Sequence, residues 1–181
     1  MPHTSVASHL SALQKSRGKI MTSILKVSEI QDPTNSNSAL TIDSSGRVTT
    51  PARPFIQLIR NADADYAVDT TITDWRVNDS RGITISGGVM TVPVAGLYQI
   101  GLSCITNTTA GIYLYINSTQ IYRIGYAALG TGEAWSQIGG DGIFNLNAND
   151  EIKFVASNGT LGLYGANNTS ALGGAYLYLV G

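Results

Sequence analysis

The chain has 181 residues, enough for one sizeable domain of about 100–150 residues with further segments attached. Charged residues make up 13% of it, against roughly 25% in an average soluble protein, while Gly (20) and Tyr (9) are plentiful. A formal net charge of −1 leaves no global field to gather nucleic acid or acidic lipid.

Residues 1–20 differ from all that follows. Both histidines, His3 and His9, lie here with Lys15, Arg17 and Lys19, and no acidic residue appears before Glu29. Val6, Leu10 and Leu13 recur at helical spacing, which predicts a short amphipathic helix over residues 5–17 with Gly18 as its stop. The basic, acid-free composition is also that of an organelle transit peptide. Three further readings stand beside that one: an arm that docks on another protein, a disordered tail, or an extension upstream of a start at Met21. The arm is the working expectation.

Residues 21–52 read as short strands separated by polar turns. Met21 to Asp32 and Ala39 to Asp43 alternate, and Ser44-Ser45-Gly46 turns into Arg47-Val48-Thr49-Thr50. Strands this few and short need partner chains to bury their apolar face.

Residues 53–181 carry the main domain. Strand signals fall at 55–59, 72–77, 83–85, 89–92, 96–105, 111–116, 120–124, 135–138, 142–146, 151–155, 161–164 and 175–180, with Gly and Asn turns between them. No stretch reads as a helix longer than one turn. The expected class is all-β, a jelly-roll sandwich preceded by a small extended attachment region. In Ile112-Tyr113-Leu114-Tyr115-Ile116 the aliphatics share one face and the tyrosines the other, and Ala175-Tyr176-Leu177-Tyr178-Leu179 repeats the scheme. A solvated single sheet would not be sticky on both faces. Tyr113, Tyr115, Tyr176 and Tyr178 are therefore expected between subunits, where tyrosine is enriched. The alternatives are a tyrosine-lined free surface and strands covered on both faces within the chain.

Catalytic signals fail one by one. The main domain has no histidine, and Cys104, the sole cysteine, sits in the apolar run Leu102-Ser103-Cys104-Ile105 as a small core residue would. One cysteine forms neither an internal disulfide nor a thiolate metal cluster. Asp141 and the pair Asp150-Glu151 read as turn carboxylates, since a glycosidase pair needs a set separation across a cleft. Asp63, Asp65 and Asp69 offer hard oxygen ligands, but Ala67 and Val68 stand where a calcium loop needs a ligand and a glycine. No catalytic residue, cofactor or metal is expected. No apolar run reaches the length of a membrane span, and residues 1–20 lack the apolar stretch of a secretory signal, so synthesis without export is the expectation.

Two resemblances add context. "SILKVSEIQD" (23–32) followed by "ALTIDSSGRV" (39–48) resembles the opening module of short fibre and virion structural proteins in tailed phages, particularly those of cyanobacteria and marine bacteria. "VPVAGLYQIGLSC" (92–104) resembles the central signature of the complement C-one-q globular head, a jelly roll of the tumour-necrosis-factor superfamily. "IYLYINSTQIYRI" (112–124), "GIFNLNANDEIKF" (142–154) and "ALGGAYLYL" (171–179) are similar, in order, to its later strands and turns. The glycine that family has before Asp150 is absent here.

Together the resemblances imply a homotrimeric virion protein assembled in the host cytoplasm. Residues 1–52 would dock on other virion proteins, and the head would face a host surface glycan or protein. A short tail or baseplate fibre is the leading expectation and a capsid decoration protein the second. A soluble complement-like ligand or lectin is more distant, because no collagen-like stem is present.

Overall fold

Period-two alternation becomes fifteen strands and no helix among the residues described by a computed structural model, namely 27–31, 38–50, 52–165 and 173–181. The helix expected over 5–17 lies outside these residues. Met1–Pro51 and Ala52–Gly181 form two units.

In the first unit, β1 (Glu29–Gln31), β2 (Ser38–Ile42) and β3 (Val48–Thr49) make an antiparallel meander. Asp43 builds its second turn. The carboxylate accepts from the backbone N–H of Ser45 and of Arg47, both at 2.9 Å, and from Arg47 Nε at 2.6 Å. Those bonds, Arg47's backbone N–H foremost, hold the Asp43 carboxyl below its usual range. Gly46 supplies the φ of +77° that the turn requires. None of this unit's described residues is buried, and Ile30 and Val48 stand exposed. Among the described residues the meander has no core of its own.

The second unit carries β4 (Phe55–Arg60), β5 (Ala64–Tyr66), β6 (Trp75–Arg81), β7 (Thr84–Ser86), β8 (Val89–Thr91), β9 (Gly96–Thr106), β10 (Ala110–Ile116), β11 (Thr119–Ala127), β12 (Ser136–Leu146), β13 (Glu151–Ser157), β14 (Leu161–Leu163) and β15 (Gly174–Leu179). One sheet runs β11-β10-β13-β8-β7. The other runs β5-β14-β9-β15-β4-β6, with β12 along the free side of β9. Neighbours in space are thus distant in sequence, as a jelly roll requires. Alternate residues of each strand fill the space between the sheets: Tyr98, Ile100 and Leu102 of β9 meet Ile112 and Leu114 of β10 and Phe154 of β13, all buried. Each such side chain stabilises the fold by roughly 1.5–3 kcal/mol.

Four local departures from the sequence reading have physical reasons. The segments 135–138 and 142–146 are one strand, β12, running straight through Gly139-Gly140-Asp141-Gly142. Its glycines are there for close approach and not for a turn, since a Cβ on Gly140 would strike the Ile124 carbonyl of β11 and one on Gly139 the Leu102 carbonyl of β9. Ile72 precedes β6 instead of belonging to it, and its N–H donates to Phe154 O at 2.9 Å, so this stretch lies along β13. The segment Ala64–Tyr66, outside the expected strands, is β5 and pairs with β14. At the turn before Asp150, Asn149 adopts φ +68° and does what the missing glycine would have done.

Arg60 is fully buried beside this core. Its guanidinium donates to Tyr66 Oη (2.9 Å) and to the carbonyls of Asp74 (3.1 Å) and Ala62 (3.0 Å), between the rings of Tyr66 and Trp75. Tyr66 in turn donates to the Asp74 carboxylate at 3.0 Å, which brings a counter-charge within reach. The strand's last residue is thereby clamped to the loops on either side of β5.

Candidate functional site

The four tyrosines expected between subunits do not share a surface. Tyr113 and Tyr115 point outward from β10 in the five-stranded sheet, and Tyr176 and Tyr178 point outward from β15 in the other. They lie on opposite outer faces of the sandwich, so one contact does not cover all four.

On the larger sheet, register sets out the rows. Asp141, Gly101, Tyr176 and Gln57 lie side by side, and next to them run Ile143, Gln99, Tyr178 and Phe55. Gly101 has no side chain because the Tyr176 ring lies across it, and a Cβ there would collide with the ring. Tyr176 and Tyr178 stack on each other, their centroids 5.8 Å apart. Gln99 ties the rows together, donating to the Asp141 carboxylate at 3.0 Å and accepting from the Tyr178 hydroxyl. Burial, and then the charge of Asp141, pushes the Tyr176 hydroxyl above its ordinary pKa. A groove of about 580 Å³ opens beside Tyr176, bounded by Ile59, Ile105, Trp135 and Gln137. A smaller one of about 350 Å³ lies between Phe55, Tyr176 and Tyr178. Trp135 is 62% exposed and Ile143 61%.

The edge where β12 meets β11 continues this apolar character. Gly125 and Gly139 let the two backbones approach, and Tyr122 donates to the Asp141 carbonyl at 3.2 Å. Ile121, Tyr122 and Ile143 stand exposed along these two strands.

The smaller sheet's outer face is built differently. Two bulges in the β10–β11 ladder bring Gln120, Arg123 and Tyr126, three residues apart, opposite Tyr115, Tyr113 and Gly111. The Arg123 guanidinium lies over the rings of both Tyr113 (5.4 Å) and Tyr126 (5.2 Å) and donates to Tyr113 Oη at 3.1 Å. Lys153 stands over Tyr115 at 5.5 Å, and Tyr115 donates to Gln120 at 3.2 Å. The chain's own cations roof these tyrosines.

The remaining candidates have structural employment. The Asp150 carboxylate accepts from Asn117 Nδ2 (3.0 Å) and Asn147 N (2.8 Å), clasping two turns, while Glu151 is exposed. Asp63 accepts from Gly165 N at 2.7 Å, and Asp69 sits in a left-handed turn at φ +62°. Among the described residues no group of three or more His, Cys, Asp or Glu side chains comes together. Cys104 is buried, and burial pushes its thiol up to about 12. Among the described residues no helix is long and apolar enough to cross a membrane.

No family model matches the chain, and no curated protein does. Solved structures do. The chain is similar to Eiger TNF from S. frugiperda, with a TM-score of 0.60 and 11% identity over 72% of this chain and 94% of that one. Murine APRIL at pH 8.5 superposes with a TM-score of 0.55 and 15% identity, covering 70% of this chain and 99% of that one. The globular domain of zebrafish complement 1qA protein gives 0.54 and 13%, covering 71% and 98%. At these identities the likeness is one of fold. The second unit is a jelly roll of the tumour-necrosis-factor and complement C-one-q kind.

Proposed function

We propose that this chain is a non-catalytic structural subunit of a tailed-phage virion, a homotrimer whose jelly-roll head faces outward and whose residues 1–52 dock on other virion proteins. The observation that carries the trimer is an apolar edge and an apolar face on one head. Ile121, Tyr122 and Ile143 supply the edge, and the groove between Phe55, Tyr176 and Tyr178 supplies the face. Two different patches that fit each other make a head-to-tail contact, which closes into a ring when the rotation allows. Tyr176 and Tyr178 then lie between subunits, while Tyr113 and Tyr115 stay outside. The resemblance of the head to trimeric complement-like domains points the same way.

The virion context rests on the resemblance of residues 23–48 to phage fibre modules. Supporting it, the meander of β1–β3 buries none of its described residues, as expected of a segment ordered by a partner. A cryo-EM map of the purified particle tests the reading. Trimeric density at the tail or baseplate makes the protein a short fibre, and density on the shell makes it a decoration protein. Absence from washed particles refutes both. Deleting residues 1–50 is expected to abolish incorporation; normal copy number of the truncated protein would refute the docking role.

A further inference from the structure

The outer face of the five-stranded sheet carries two cations held in place without a carboxylate. Among the described residues the ion pair present is Arg47–Asp43, so neither Arg123 nor Lys153 has an acidic side chain within 4.0 Å. Arg123 is exposed, yet its position is fixed by two tyrosine rings and one bond to Tyr113 Oη. A guanidinium has five N–H donors in a flat fork that matches a carboxylate, and the bond to Tyr113 Oη is the one it makes among the described residues. Tyr126, half exposed, lies beside Gly111, where a Cβ would sit 3.5 Å from the ring. It presents an aromatic face next to the charge. Lys153, on the far side of β10 and two residues along it, adds a second cation whose backbone lies roughly 12 Å away by strand spacing and rise. One small anion does not span that distance, whereas a polymer does.

We propose that the Tyr126–Arg123–Tyr113 stack, extended by Tyr115 and Lys153, binds carboxylate-bearing polysaccharide. Sugar rings offer flat C–H faces to tyrosine, hydroxyls to Tyr115 and Gln120, and carboxylates to the two cations. Nucleic acid fits less well, because two cations on a chain of net charge −1 neutralise few phosphates. Glu151, two residues from Lys153 on the same strand, also disfavours a densely anionic ligand. The inference rests on the reading that leaves this face outside the trimer. There, three copies would engage one polymer together, and weak single sites would sum to useful avidity.

The test uses the full-length protein on immobilised alginate and polygalacturonate, with neutral dextran and duplex DNA as controls. Sedimentation of the same preparations reports their oligomeric state, so loss of the trimer is distinguished from loss of the site. Binding to at least one carboxylated polymer and none to dextran is expected. Arg123→Gln is expected to weaken it about tenfold or more with the trimer intact, and Lys153→Gln less. No binding to either acidic polymer, equal binding to dextran, DNA bound as tightly, or an undiminished Arg123→Gln variant would each overturn the proposal.

Discussion

The two outer faces of the head start from the same sequence device and end as different surfaces. Each has a strand of alternating aliphatics and tyrosines, and each has a glycine beside a tyrosine ring: Gly101 beneath Tyr176, Gly111 beside Tyr126. On the smaller sheet the neighbouring strands supply Arg123 and Lys153, which cover the rings and keep the face wet. On the larger sheet the neighbours supply Gln99, Phe55 and Ile143, which leave the rings stacked on each other beside open grooves. What a tyrosine does is therefore decided by the residues the ladder places beside it.

The contrast can be broken at its glycines. Gly101→Val is expected to have the largest effect, because its side chain displaces Tyr176 from a central strand. Overpacking of this kind costs about 1–3 kcal/mol, and the displaced ring ruins the trimer face as well. Thermal melting and sedimentation read the two consequences separately; a trimer that melts as before would refute the packing described. Arg123→Gln sharpens the contrast from the other side. Losing its stacking should cost about 0.5–1 kcal/mol, a melting shift of about 2–4 °C or less, with oligomeric state unchanged. A smaller effect concerns pH. The Tyr176 hydroxyl titrates above its ordinary value of 10.0, chiefly through burial, so its neutral form is the one the face accommodates. Its contribution is fully present below pH 10.0 and lost as pH rises through the raised value. Ultraviolet titration should show late-ionising tyrosines, Tyr98 and Tyr176, with one fewer in Tyr176→Phe, and an unchanged curve would contradict the assignment.

Strand positions were legible because period two is a property of a single strand. Ile112 to Ile116 and Ala175 to Leu179 point as their alternation says. Which sheet each strand joins was not legible, since pairing links residues as distant as Phe55 and Tyr178. That is why nothing in the sequence told that the four tyrosines expected between subunits fall on two different sheets. Arg123 and Tyr126 were invisible as partners of Tyr113 for a related reason: three-residue spacing points to opposite faces unless bulges intervene. Gly139-Gly140-Asp141-Gly142 looked like a turn because glycine serves turns and close approaches alike. Arg60, the one charged side chain buried among the described residues, sits in Phe55–Arg60 like any exposed strand end, and its partners Tyr66 and Asp74 arrive from β5 and from the loop that follows it. That the head has no histidine and a single cysteine needed no structure.

Sedimentation equilibrium of the full-length chain alongside Tyr178→Glu and Tyr113→Glu tests the central claim most directly. A charge placed between subunits is left buried and unpaired, whereas one placed beside Arg123 gains a partner. The account predicts three times the chain mass for the unaltered protein and for Tyr113→Glu, and a monomer for Tyr178→Glu. A monomeric unaltered protein at micromolar concentration would contradict it, as would dissociation by Tyr113→Glu with Tyr178→Glu still trimeric.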